Sequence, residues 1–253
     1  MVRAILTTRG LRKEFRGFTA VDGVDLAVAE GSVHALVGPN GAGKTTLFNM
    51  LTGFLRPSAG TIDLDGRDIT GLPPERIAGL GVARSFQITT LFPALSVRDH
   101  VELALQARTT LGWQFWRSDK QTRRFEAEAT DLLAETNLAD AAATPAGALA
   151  YGRKRALELA VALAVRPRLL LLDEPTAGMG AEDIEGTVAL VRRVAEGRTV
   201  VLVEHNMSVV KSLADRVTVL QQGQIIAEGP YDEVRADPRV ITAYLGANDA
   251  PRP

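Results

Sequence analysis

The most specific chemistry in the chain lies in one glycine-rich run, Gly38-Pro39-Asn40-Gly41-Ala42-Gly43-Lys44-Thr45, followed by Thr46. It fits the pattern G-x-x-x-x-G-K-[ST]. Glycines at 38, 41 and 43 let backbone N–H groups close around phosphate oxygens. A helix beginning at the end of the run would add positive potential there. Lys44 would then reach the β- and γ-phosphates, the Thr45 hydroxyl would ligate Mg2+, and Thr46 is placed to touch the α-phosphate.

A second constellation follows much later in the chain. Leu169-Leu170-Leu171-Leu172-Asp173-Glu174-Pro175 reads as a buried strand ending in two acids. Asp173, at the strand's carboxyl end, can hold the shell of a Mg2+ ion. Glu174 is the natural general base for a water attacking the γ-phosphate. Together the two runs imply ATP and Mg2+ as ligands and phosphoryl transfer to water as the reaction.

These residues need strands and helices to hold them. Residues 32–37 read as a buried strand running straight into the glycine run, and LFNMLTGFL beyond it reads as an apolar helix. Residues 4–37 alternate apolar and polar side chains, with turns at Arg16-Gly17 and Glu30-Gly31; Val24, Leu26 and Val28 share one face. Residues 60–66 read as a short strand. From about 95 to 165 the periodicity becomes helical. Ser96 and Asp99 form a capping-box signature before VELALQAR, RRFEAEATDLLAET keeps one charged face, Thr144-Pro145-Ala146-Gly147 interrupts, and a helix follows over 153–165. Strands return in RLLLLDEP, TVVLVEH and the hairpin RVTVLQQGQIIAEG, with helices near 181–196 and 206–214. The fold class is therefore α/β: a P-loop NTPase core with a mainly parallel sheet, an N-terminal antiparallel β subdomain and an inserted α-helical subdomain at about 88–165. One ATP-binding domain is expected over residues 4–246, with a C-terminal tail from about 230 to 253.

Composition narrows the classes. The chain has 253 residues, 46% of them hydrophobic and 23% charged, enough for a large core. It has no cysteine, which excludes disulfides, thiolate metal sites and thiol catalysis. Its histidines, His34, His100 and His205, lie far apart, against a multi-histidine metal site. A net charge of −1 speaks against a general electrostatic nucleic-acid binder. No uncharged apolar run approaches the ~20 residues that span a bilayer, and MVRAILTTRGLRKEF lacks a signal-peptide pattern. The expectation is a cytoplasmic protein whose membrane association runs through a partner.

With both motifs in place, the chain resembles the ABC-type ATP-binding subunits from about Leu11 to Gly246. The resemblance implies further site residues. Phe15 matches the aromatic that stacks on adenine, with Phe18 as its rival. Gln87, in Arg84-Ser85-Phe86-Gln87, matches the glutamine that senses Mg2+ and the attacking water and links to the membrane partner. Leu149-Ala150-Tyr151-Gly152-Arg153 stands at the signature position, so that Tyr151 and Gly152 would meet the nucleotide held by a second subunit. His205 matches the switch histidine that contacts the γ-phosphate. A closer resemblance is to the branched-chain amino-acid uptake ATPases of the LivG type, carried by LTGFLRPSAG, Gly81-Val82-Ala83-Arg84-Ser85-Phe86-Gln87, LFPALSV, LALAYGRKRALELAVAL, DEPTAGM, DPRVITAYLG and the long insert around LGWQFWRSDKQTRRFE.

The chain departs from the general family pattern in places. Ala150 replaces the signature serine, Arg153 replaces its glutamine, and Met179-Gly180 stands where a Leu-Asp or Leu-Asn pair is usual. Arg153 would either supply a cation near the ribose or phosphates or alter a partner contact. The resemblance implies that two such subunits, identical or not, sandwich two ATP molecules. It also implies that they drive integral membrane permease subunits, served indirectly by a periplasmic binding protein. The alternatives are an importer ATPase for urea, amides or lipid, and a soluble ABC ATPase not linked to transport.

Overall fold

The computed structural model of the chain describes residues 3–85, 91–108 and 119–245, with side chains from 125 to 244 in the last stretch. Strands β1 (Ala4–Phe15), β2 (Phe18–Val24) and β3 (Ala27–Ala29) lead into β4 (Val33–Val37), and α1 (Lys44–Leu51) starts at the end of the glycine run. β5 (Ala59–Leu64), β6 (Arg67–Asp68), α2 (Pro74–Gly79) and β7 (Val82–Ser85) follow. The helical block comprises α3 (Val97–Ala107), α4 (Asp119–Glu135) and α5 (Tyr151–Ala164). The chain then returns to the sheet through β8 (Leu169–Asp173), α6 (Ala181–Ala195), β9 (Thr199–Val203), α7 (Met207–Leu213), β10 (Arg216–Gln221) and β11 (Gln224–Gly229), and ends in α8 (Tyr231–Ala236) and α9 (Pro238–Leu245).

The central sheet has the order β11-β10-β4-β9-β8-β7. All neighbours are parallel except β11, which pairs antiparallel with β10 in the hairpin read from the sequence. The second sheet, β2-β1-β5-β6 with β3 on β1, is antiparallel throughout. The α/β class, the N-terminal antiparallel β part and the helical block stand as the sequence reading has them.

Burial on both faces explains the unbroken apolar strands of the core. Leu170 and Leu172 face one core with Ala35, Val37, Val200 and Leu202, against α3 and α5–α7. Leu169 and Leu171 face the other with Leu36, Val201 and Val203, against α1 and the antiparallel sheet. Side chains alternate across a strand, so a strand covered on both sides must be apolar at every position. α3 begins where expected: Ser96 accepts from the Asp99 N–H, and Asp99 accepts from the Ser96 N–H. Several short elements carry only weak sequence signals. β7 is four residues long, α2 is six, and α8 and α9 sit in the C-terminal tail. Among the described residues no helix is long and apolar enough to cross a membrane.

One buried group makes the core sensitive to pH. His34 on β4 is fully buried, and its Nε2 lies 2.7 Å from the Thr218 hydroxyl. That hydroxyl donates to Glu228, which also accepts from Arg216. Burial lowers the imidazole pKa to about 4; the Glu228 charge opposes the shift and the Arg216 charge adds to it. The unfolded chain binds this proton near pH 6.5 and the folded chain does not until near pH 4. Stability from this group is therefore complete above about 6.5 and is lost as the pH falls toward 4, by roughly 3 kcal/mol in all. Denaturant unfolding of wild type and His34→Gln across this interval should give a steeper pH slope for wild type. Equal slopes would mean that His34 does not carry the effect.

Candidate functional site

Three strands deliver the site. Leu36 on β4 is in register with Val203 on β9, and Val203 is in register with Asp173 on β8. The loops after β4, β8 and β9 therefore leave the sheet side by side at its carboxyl edge, where open α/β sheets bind ligands.

The loop after β4 is the glycine run. Gly43 adopts φ 100° and caps α1; a Cβ there would collide with the Ala20 carbonyl oxygen of β2. Gly38 is buried, and a Cβ there would meet the Leu220 carbonyl oxygen of β10. Only glycine lets the loop pass so close to two strands. The Gly223 N–H donates to the Ala42 carbonyl, and the Asp22 N–H donates to the Gly223 carbonyl, which ties loop, hairpin and β2 together. α1 has no acidic residue in its first turn and no side-chain cap at its start. The first-turn N–H groups and positive dipole end of this helix therefore meet no capping side chain or acidic group from the helix itself. Asn40, Gly41 and Thr45 are exposed, Pro39 and Thr46 are half-buried, and Ala42 is buried beneath them.

Lys44 is buried, and its Nζ donates to the Gly38 carbonyl at 2.7 Å and the Pro39 carbonyl at 3.0 Å. Burial lowers its pKa from the ordinary lysine value; the negative charges of Glu174 and Asp173 oppose that shift. The fold thus brings the lysine of the first motif within the field of both acids of the second.

Asp173 is buried at the end of β8, and its Oδ2 accepts from Arg84 at 2.6 Å. Arg84, on β7, also donates to Asn49 of α1 at 2.6 Å and lies over the Phe48 ring at 5.3 Å. Glu174 follows at φ 47°, a left-handed conformation that a non-glycine residue adopts at a cost of about 1–3 kcal/mol. Its N–H donates to the Val203 carbonyl, and its carbonyl accepts from the Ala177 N–H. The strand stops there, and the chain turns away toward α6.

His205 leads the loop after β9, with its side chain 62% exposed and its Nδ1 4.0 Å from Glu204. Phe15 sits at the tip of the β1–β2 hairpin, 43% exposed, with the Lys13 ammonium 5.1 Å from its ring centroid; Phe18 is exposed beside it. Tyr151 and Gly152 open α5 and meet the loop after β8 and the start of α6. The Tyr151 hydroxyl donates to the Ala177 carbonyl at 3.1 Å, and Gly152 lies beside Asp183. Ala150 caps this helix without a side-chain hydrogen bond, as its missing hydroxyl requires. Arg153 is paired with Asp140 through both carboxylate oxygens. Gln87, together with the aromatics Trp113, Phe115 and Trp116 of the insert, lies outside the described residues.

Sequence reasoning passed over two polar residues in this neighbourhood. Arg84 stands in a short strand beginning Val82-Ala83, where a guanidinium calls for a buried partner. Glu204 directly follows the buried strand β9 and is itself completely buried.

The residues of the site fit a nucleotide with Mg2+. The cradle has a buried ammonium, a helix start free of acidic residues, an exposed Thr45 hydroxyl and the Asp173 carboxylate. No cluster of three His, Cys, Asp or Glu that could hold a metal occurs among the described residues. Such a donor set suits Mg2+, which binds through one or two protein oxygens plus substrate phosphates rather than in an all-protein cage.

Fold and site together define a P-loop ATPase. Residues 21–177 match the ABC transporter family model, and residues 224–250 match the model described as branched-chain amino acid ATP-binding cassette transporter. The chain belongs to the ABC transporter ATP-binding subunits, which hydrolyse ATP. It is 41% identical to the high-affinity branched-chain amino acid transport ATP-binding protein BraF of Pseudomonas aeruginosa, over 97% of this chain and 99% of that protein. It is 38% identical to the corresponding protein LivG of Salmonella typhimurium, with the same coverage. Among solved structures, the ADP conformation of an ATP-binding cassette of an ABC transporter superposes with a TM-score of 0.84 at 29% identity, covering 96% of this chain and 99% of that one.

Proposed function

We propose that the chain, as a single cassette over residues 4–246, powers a membrane importer of branched-chain amino acids. The observation that carries this reading is the register of Asp173 with Val203 and of Val203 with Leu36, which gathers the loops of Lys44, Glu174 and His205 at one edge. The solute class rests on the branched-chain match over the C-terminal segment and on the names of the relatives.

In this reading the backbone of Gly38–Thr46 and the Lys44 ammonium hold the phosphates, with Phe15 under the adenine. The Thr45 hydroxyl and Asp173, with Gln87, would hold Mg2+. When bound, that ion neutralises charge developing on the phosphate oxygens. Arg84 keeps one oxygen of Asp173 engaged, so the carboxylate has one orientation from which to act. Glu174 takes the proton of the attacking water, and Lys44 stabilises the charge on the γ-phosphoryl group. His205 contacts the γ-phosphate.

Tyr151 and Gly152 serve the nucleotide of a second ATPase subunit. Closing on ATP and reopening after hydrolysis then act as a γ-phosphate switch. The chain would work on the cytoplasmic face of the membrane, held there by permease subunits that a periplasmic binding protein feeds. The pairing of Arg153 with Asp140 favours a role at the helical block's surface over a cation aimed at ribose or phosphate.

The test is ATPase activity of the purified chain, alone and reconstituted in lipid with branched-chain permease subunits and a second ATPase of the same organism. The expected result is low activity alone. It should rise in the full mixture only when the binding protein carries leucine, isoleucine or valine. Stimulation by another solute would reassign the cargo, and activity indifferent to these partners would remove the transport reading.

A further inference from the structure

Glu204 has no part in the chemistry described so far, yet it is completely buried among charged and polar groups of the site. Its Oε1 accepts from the Thr176 hydroxyl at 2.5 Å and the Thr176 N–H at 3.2 Å. Its Oε2 accepts from the N–H of His205 at 3.0 Å and of Asn206 at 3.2 Å. Each oxygen thus serves a different loop: one the loop after β8, the other the loop after β9. Three of the four partners are backbone N–H groups that can only donate, so both oxygens are held as acceptors, and these hydrogen bonds offset the cost of burying the polar group.

The connection continues on the β8 side. Next to Thr176, the Ala177 carbonyl accepts from the Tyr151 hydroxyl at the start of α5, and that hydroxyl accepts from Arg155 at 3.0 Å. On the β9 side, the Asn206 side chain caps α7 by accepting from the Ser208 and Val209 N–H groups. A polar path therefore runs from the loop of His205, through Glu204 and the Thr176–Ala177 segment, to the start of α5, which carries Tyr151 and Gly152.

We infer that Glu204 is a positioning residue for ATP hydrolysis: its carboxylate locks the His205 loop to the Thr176–Ala177 segment, so that the switch histidine and the signature end of α5 move together. The inference rests on the reading of His205 as a γ-phosphate contact. Its physical basis is that a loop held at one end by two backbone donors has its side-chain origin fixed, and a displacement of about 1 Å at a reacting group costs on the order of 100-fold in rate.

Glu204→Gln is the direct test, made in the full chain and measured in the reconstituted transporter. The amide NH2 must face backbone donors on one side, either the Thr176 N–H or the N–H groups of His205 and Asn206, and so releases them. The expected result is a kcat lower by roughly 10- to 100-fold with KM for ATP changed less than about twofold. The double variant Glu204→Gln/His205→Ala should be no slower than His205→Ala alone, because the two act through one group. Hydrogen exchange supplies a readout independent of activity: the amides of His205 and Asn206 should exchange at least about tenfold faster while those of β9 stay unchanged.

Should the variant not fold, Thr176→Val removes one donor with little change of shape. It should lower kcat in the same way, and Thr176→Ser should restore most of the loss. Unchanged kcat and exchange, or equal losses in kcat, ATP affinity and thermal midpoint, would overturn the inference. If His205→Ala keeps the full wild-type rate, the fault lies in the reading of His205, and the exchange result still decides whether Glu204 locks the loop.

Discussion

Glu174→Gln is expected to bind ATP as wild type does and to lose hydrolysis by roughly 100- to 10,000-fold, the range for removal of a general base. The substitution keeps the shape of the side chain and removes its ability to take a proton. The backbone of Glu174 is held by the Val203 carbonyl and the Ala177 N–H. Neither contact involves the side chain, so the left-handed turn at φ 47° should survive. The cradle's contacts from Lys44 go to Gly38 and Pro39, which the variant leaves in place. Equilibrium binding of a fluorescent ATP analogue and single-turnover hydrolysis in the reconstituted complex separate the two effects. Wild-type turnover would remove Glu174 from the base role. Loss of binding along with turnover would instead assign it to holding the charge of Lys44.

Lys44→Ala should abolish nucleotide binding or turnover, with a rate loss of at least about 100- to 1,000-fold if binding persists. The ammonium is buried with two carbonyl partners and sits within the field of Asp173 and Glu174. Removing it takes away the one cation that the glycine run supplies at the point where phosphate charge must be neutralised. The Gly38 and Pro39 carbonyls also lose their donor, so a modest fall in stability should accompany the loss. Lys44→Arg keeps the charge but places a planar fork where the loop holds a point donor, and it should not restore activity. The same binding and single-turnover measurements check the prediction. Unchanged affinity together with unchanged rate would refute the phosphate-cradle reading.

The two predictions differ in how far the sequence alone supports them. The glycine run is legible because its chemistry is local: Gly38, Gly43, Lys44 and Thr45 do their work within one turn of backbone, and strand, loop and helix follow one another in the chain. The same holds for Leu169–Glu174, where an unbroken apolar strand announces burial on both faces and the acids mark its end. The capping box at Ser96 and Asp99 and the β10–β11 hairpin are equally short-range, and they form where expected.

What the sequence left out is short, weakly patterned or joined only through space. β7 has four residues, too few for a periodicity, and α8 and α9 each fill about two turns in a stretch read simply as a tail. Arg84 is an unremarked arginine until β7 lies beside β8 and its guanidinium reaches Asp173, 89 positions further on. Glu204 looks like a neighbour of the switch histidine, and only the pairing of β8 with β9 sets Thr176, 28 positions away, against its other oxygen.

The sequence by itself determined the phosphate chemistry, the α/β class and the identity of the acids, because each is written in residues adjacent along the chain. The tertiary structure alone decided which charges face one another: Arg84 to Asp173, Arg153 to Asp140, and Glu204 to two loops at once. Strand order and register set those distances, and they result from long-range packing that no short stretch of sequence specifies.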